Sequence, residues 1–140
     1  MDSGSGPYGP RKVLEGKGNV IDLFWSPGGD YVGYWTGTLV RGYSLWKVPA
    51  LGGTPVPLCT LTPGLSMAVG YPASTWSADG RIIIATAGDS LSRPSPGLYE
   101  ASALVGEARV ILKMDPTLNE QWFGRPFFLP DGQTVLFAVE

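Results

Sequence analysis

The residues able to do chemistry in this chain are few and scattered. Its 140 residues include no histidine and one cysteine, Cys59. Imidazole acid–base catalysis, a Ser-His-Asp triad and a histidine metal site are therefore outside what these residues can build alone. One cysteine can neither close an internal disulfide nor form a cysteine-cluster zinc site. Cys59 ends an apolar run with no positive charge close to it in sequence, so it reads as a buried structural thiol, not a nucleophile. Asp79 and Asp131 each precede a glycine, where an aspartate closes a turn through its own side chain. Calcium needs several oxygen ligands at close spacing, and no D-x-D-x-D-G run exists. Asp89, Asp115 and Glu120 lie in longer loops and could join a composite site, but no spacing selects them. Gly4-Ser5-Gly6-Pro7-Tyr8-Gly9 fits G-x-G-x-x-G on paper. A phosphate loop, however, follows a strand and opens a helix, whereas this stretch sits at the extreme N-terminus with a proline inside. Residues 1–10 read as a flexible tail. The chain is expected to be non-catalytic, with no cofactor and no metal.

The elements that must carry these residues come from a repeat. Three related phrases occur: Trp25-Ser26-Pro27-Gly28-Gly29-Asp30, Trp76-Ser77-Ala78-Asp79-Gly80-Arg81 and Phe128-Leu129-Pro130-Asp131-Gly132-Gln133. Their second residues are 51 and 52 positions apart. A period of roughly 50 residues made of short strands is the signature of a β-propeller, one blade per repeat. The repeat extends between the phrases. Ser44–Pro49, a Gly52-Gly53 turn and Pro55–Leu58 in the first unit answer to Gly97–Ser102, a turn at Val105-Gly106 and Ala108–Leu112 in the second. Leu45 to Leu98 is 53 positions and Leu58 to Leu112 is 54. Each run is short, rich in Val, Ile, Leu, Tyr and Trp, and bounded by Gly, Pro, Asp or Ser, which predicts strands. The Asp-Gly pairs predict tight turns, because glycine accepts a positive φ. No helical period is convincing. Leu98–Met114 comes nearest, and Gly106 inside it favours strand–turn–strand.

Composition agrees. With 20 Gly and 13 Pro the chain is rich in turn formers, yet 44% is hydrophobic and 16% charged, which excludes a disordered tract. Net charge is −2 without a Lys/Arg cluster, against a nucleic-acid or anionic-membrane surface. No apolar run approaches the ~18–20 residues of a membrane span. Residues 1–6 lack the basic and apolar stretches of a signal peptide.

The fold expected is all-β, a partial propeller of about two and a half blades of antiparallel four-stranded sheet. Residues 11–14 form an orphan last strand, 19–59 and 71–112 complete blades, and 122–140 half a blade. A closed ring takes ~4–8 blades, so this stretch cannot close one alone. It could be a fragment, a short subunit completing a ring by oligomerising, or an open β-structure. Terminal blades would expose apolar faces and invite self-association.

The sequence resembles the WD40-like PD40 repeats of TolB-type propellers. The residues that carry this are Phe24–Gly29, Leu45–Cys59, Thr75–Ile84 and Pro126–Gly132, with Gly28 standing where aspartate is usual. The likeness covers about residues 11–140 and is narrower to the propeller that follows the kinase domain in many bacterial serine/threonine kinases. It implies a sensing or protein-interaction module with a protein or peptide ligand, on the periplasmic or outer side of the membrane. Kinase machinery itself is missing, with no V-A-I-K, H-R-D or D-F-G. Similar repeats occur in TolB-like envelope proteins and in the substrate-gating propellers of prolyl-oligopeptidase-like peptidases, and these are the alternative settings.

Trp25, Trp76 and Phe128 hold equivalent positions and are expected to pack between blades, as are Trp35, Trp46 and Tyr99 in the strands. Loops at one end of a propeller carry binding, which selects 36–42, 87–96 and 113–121. Asp89, Ser90, Ser92 and Arg93 in the second, with Trp122 after the third, are the candidate partner contacts.

Overall fold

The computed structural model of the chain describes residues 19–67, 73–88 and 95–140. These form three antiparallel sheets of four, four and two strands. The first sheet is β1 (Val20–Trp25), β2 (Tyr31–Thr38), β3 (Gly42–Pro49) and β4 (Val56–Thr60), paired in sequence order. The second repeats that order with β5 (Ser74–Trp76), β6 (Arg81–Ala85), β7 (Gly97–Ser102) and β8 (Arg109–Lys113). The third is the hairpin of β9 (Phe123–Phe128) and β10 (Val135–Val139). The stretch expected as strand–turn–strand, 98–114, is β7 and β8. Among the described residues the only helical element is a 3-10 turn at Pro116–Leu118, and no helix is long and apolar enough to cross a membrane. The orphan strand at 11–14 and the tail lie outside the described residues.

The three phrases make the same turn three times, always between the first and second strands of a sheet. Gly29, Gly80 and Gly132 take φ of 76°, 86° and 68°, a region that favours glycine. Each donates its N–H to the carbonyl three residues back, from Ser26, Ser77 and Leu129. The side-chain support differs. Ser26 and Ser77 accept from the amides of Tyr31 and Arg81 through Oγ. Leu129 has no hydroxyl, and Asp131 takes over, accepting from the amides of Gln133 and Thr134 and from the Thr134 hydroxyl. Asp79 does similar work at its own turn, hydrogen-bonded by the Ser77 hydroxyl.

Successive sheets meet through their first strands, β1 against β5 and β5 against β9. The middle sheet is therefore covered on both sides. In β6, Ile82 and Ile84 enter one core with Trp35, Leu45 and Tyr99, while Ile83 and Ala85 enter another with Leu98, Phe123 and Phe128. A strand buried on both faces reads as a continuous apolar run, as Ile82–Ala85 does, without the alternation of a strand that has one wet face. Hydrogen bonds tie the sheets as well. The Trp35 indole donates to Ser74 Oγ at 2.8 Å, and Asp22 accepts from the Ala73 amide at 3.1 Å.

Two sequence expectations need correcting. Trp25 does not pack between sheets and is 64% exposed, because its strand faces away from the second sheet at that position. Trp76 and Phe128 follow the rule. Trp76 lies against Phe24 and Tyr31 of the first sheet, and Phe128 lies under the Arg81 guanidinium of the second. The spacing that equates Leu58 with Leu112 is also off by one. Both β3–β4 and β7–β8 carry a bulge at the same place, between Leu45 and Trp46 and between Leu98 and Tyr99. That register makes Cys59 the counterpart of Leu112 and the bulged Leu58 the counterpart of Ile111. Trp35 and Tyr99 are buried as expected; Trp46 is half-buried and stacks on Tyr34.

Candidate functional site

Strand order brings the connections β2–β3, β4–β5, β6–β7 and β8–β9 to one end of the sheets. There Gly64 N donates to Leu39 O, Ala87 N to Ser66 O, and Phe123 N to Thr86 O. Ala87 bridges Ser66 on one side and Trp122 on the other, a backbone strip joining three connections. This is the end selected from sequence. Of the three loops chosen, 36–42 is mostly strand, with only Leu39–Arg41 between β2 and β3. Asp89, Ser90, Ser92 and Arg93 lie outside the described residues.

Trp122 is held as part of the third sheet. Its indole donates to Glu140 Oε2 at 2.6 Å, and its backbone exchanges two hydrogen bonds with Glu140. Its ring covers Gly124 so closely that a β-carbon there would come within 2.2 Å of it. The carboxylates of the neighbouring loop close that loop on itself. Asp115 accepts from the Thr117 hydroxyl and amide, which holds its pKa below the usual carboxylate value, and Glu120 accepts from the Asp115 amide. They offer no composite ligand set. Among the described residues no group of three or more His, Cys, Asp or Glu side chains could hold a metal ion.

The sequence reading missed a groove on the outer half of the second sheet. It has a volume of about 320 Å³ and is lined by Asp79, Arg81, Glu100, Ser102, Glu107 and Arg109. Register assembles it: Arg81 stands opposite Ser102, and Glu100 opposite Arg109. Arg109 grips Glu100 with two nitrogens, at 3.0 and 2.6 Å. Arg81 contacts Asp79 at 3.0 Å, reaches Glu100 at 3.9 Å and donates to Gly132 O in the third sheet at 2.9 Å. The Ser77 hydroxyl, with Arg81 beside it, lowers the Asp79 pKa. The groove therefore offers charge of both signs along a strand pair.

The first sheet differs at the equivalent place. Lys47 occupies the position of Glu100, lies over the Tyr31 ring and donates to Ala103 O, in the β7–β8 connection of the next sheet. There a hairpin covers the outer strands. Among the described residues the third sheet has two strands, and no such hairpin lies over Glu100. Among the described residues β10 pairs with β9 alone. Ser102 Oγ accepts from Leu104 N, and the Cys59 thiol, which is not part of the groove lining, is buried, its pKa pushed up to about 11 by burial. No protein-family model matches the chain, and no curated protein or solved structure does.

Proposed function

We propose that the chain is a stretch of β-propeller blades, of the TolB-like PD40 kind, acting as a non-catalytic module that binds polypeptide. The resemblance of its repeats to the propellers behind bacterial serine/threonine kinase domains makes a sensing arm of such a kinase the favoured setting. The observation that carries the binding reading is the groove on the second sheet, where Asp79, Arg81, Glu100 and Arg109 set both signs of charge along one strand pair. A polypeptide laid along it sets its own charged side chains against these, which supplies selectivity more than affinity.

The test is a random-peptide display library panned on the immobilised chain, followed by titration of the enriched peptides. Arg109→Glu reverses the charge at the rim of the groove, where the Arg109 side chain is 77% exposed, and leaves both cores untouched. Binding in the groove predicts that enriched peptides lose affinity for R109E. Undiminished binding overturns the groove as the site, and no enrichment over a control surface overturns the binding function.

A further inference from the structure

Two of the three turns carry a reactive bond. Asp79-Gly80 and Asp131-Gly132 stand where the first turn has Gly28-Gly29. At an Asp-Gly bond the glycine nitrogen can attack the aspartate Cγ, because glycine has no β-carbon to hinder the approach. A C–N bond forms, the nitrogen loses its proton, and one side-chain oxygen leaves as water once protonated. Water then opens the succinimide ring, and opening at the backbone carbonyl gives isoaspartate, with an extra methylene in the main chain. Both aspartates are exposed, so water has access. The turns hold the reacting groups apart. The Gly80 and Gly132 N–H groups donate to Ser77 O at 3.0 Å and to Leu129 O at 2.9 Å. The Asp79 carboxylate accepts from the Ser77 hydroxyl and the Arg81 amide, and Asp131 accepts from the Gln133 and Thr134 amides and the Thr134 hydroxyl.

We propose that Arg81 restrains both bonds at once and so keeps isoaspartate from forming in either turn. Its Nε lies 3.0 Å from Asp79 Oδ2 and 3.2 Å from Oδ1, while its Nη2 donates to Gly132 O at 2.9 Å. The first contact keeps Asp79 ionised, and an ionised carboxylate is a poor target because its oxygen leaves only after protonation. The lowered pKa values of both aspartates act in the same direction. The second contact, together with Gly132 N on Leu129 O, fixes the glycine through both of its peptide groups, so its nitrogen is held from turning onto Asp131 Cγ. Arg81 is itself held in place, its guanidinium carbon 5.4 Å from the Phe128 ring centroid. One side chain of the second sheet therefore protects its own turn and the turn of the third. The first turn, with Gly28 in place of aspartate, has no such bond to protect. This goes beyond peptide binding in the groove and does not rest on it.

Isoaspartate at residues 79 and 131, read by electron-transfer fragmentation after weeks at neutral pH, tests it. Synthetic peptides spanning 75–83 and 128–136 give the unrestrained rates, and the folded chain is expected to fall well below both. Arg81→Gln should speed both sites about tenfold, the scale of one charge-assisted hydrogen bond. Arg81→Lys, which keeps the charge and loses the fork, serves if Arg81→Gln does not fold. Thr134→Val removes only the hydroxyl bond to Asp131 and should speed residue 131 alone. Ile84→Val trims a side chain that is 0% exposed and belongs to neither turn, so it controls for general loosening and is expected to keep the parent's rates. A folded chain that isomerises as fast as the peptides overturns the proposal. So does an Arg81 variant that keeps the parent's rate at either site, and so do rates that rise as much in Ile84→Val as in the Arg81 variant.

Discussion

The two places where sheets meet use one local rule and reach different extents. Between the first and second sheets, Trp76 sits on Phe24 and Tyr31; between the second and third, Phe128 sits under Arg81. Tyr31 and Arg81 are the same position, the residue that opens the second strand of its sheet. Yet the first interface runs out to the fourth strand, where Gly106 N donates to Leu58 O, and it encloses Leu58, Leu61, Leu65 and Met67. The second ends with Leu98, Met114, Phe123 and Phe128. The bulged residues Leu58 and Ile111 record the consequence: equivalent in the chain, one is 2% exposed and the other 48%. The turn and its aromatic set the order and spacing of sheets. How much each sheet buries depends on how many strands its neighbour has.

The largest effect should come from removing an aromatic from each core. Trp35→Ala and Phe123→Ala both empty positions that are 0% and 2% exposed, and large-to-small changes of this kind cost about 3–5 kcal/mol. The consequence should differ in kind. Trp35 belongs to the larger core, so its loss is expected to lower the urea midpoint of the whole molecule. Phe123 anchors a two-stranded hairpin, so its loss should release amide protection in 121–140 first, leaving β1–β8 protected in hydrogen exchange. Equal loss of protection across all three sheets in Phe123→Ala would mean the cores are one cooperative unit.

A smaller effect sharpens the first interface alone. Ser74→Ala leaves the buried Trp35 indole N–H without its acceptor, at a cost of about 1–3 kcal/mol. Thr75→Val removes the matching tie at the second interface, where Phe128 N donates to Thr75 Oγ1 at 3.3 Å. That bond is longer and less buried, so its loss should shift the urea midpoint less than Ser74→Ala does. The reverse order would show that the weaker-looking contact carries the smaller interface.

Legibility in the sequence followed the same division. The turns could be read because a positive φ selects glycine and the flanking Asp or Ser closes the loop locally. The strands could be read because Ile82–Ala85 and its counterparts are apolar at the right length. Trp25 could not be placed, since the sequence marks its equivalence to Trp76 but not that, among the described residues, no sheet packs on its outer side. The bulges at Leu58 and Ile111 leave no residue signature, and a one-residue error in matching β4 to β8 followed. The groove was invisible for a related reason. Arg81, Glu100 and Arg109 lie 19 and 9 positions apart, and only strand register shows that they converge. The all-β class with its sheets of four, four and two strands is what the structure bears out of the fold expected.

The mildest contrast is electrostatic, and it has opposite signs in the two regions. Asp22, at the first interface, has its pKa raised by burial, against the lowering effect of the Ala73 and Leu23 amides. Asp131, in the turn of the third sheet, has its pKa lowered by the Thr134 hydroxyl and amide and by the Gln133 amide. A lowered pKa means the unfolded chain binds the proton first, so Asp131 adds stability above the ordinary carboxylate value near 3.8 and loses it as the pH falls through its folded pKa. A raised pKa means the folded chain binds first, so Asp22 costs stability above its folded pKa and gives that cost back on acidification. Asp131→Asn should therefore make the acid loss of stability shallower, and Asp22→Asn, which keeps an acceptor for Ala73 N, should make it steeper. Urea midpoints followed from pH 6 downward would read both. If the two variants bend the profile the same way, the carboxylate of Asp22 is not paying a burial cost, and its hydrogen bond to Ala73 outweighs the desolvation at that interface.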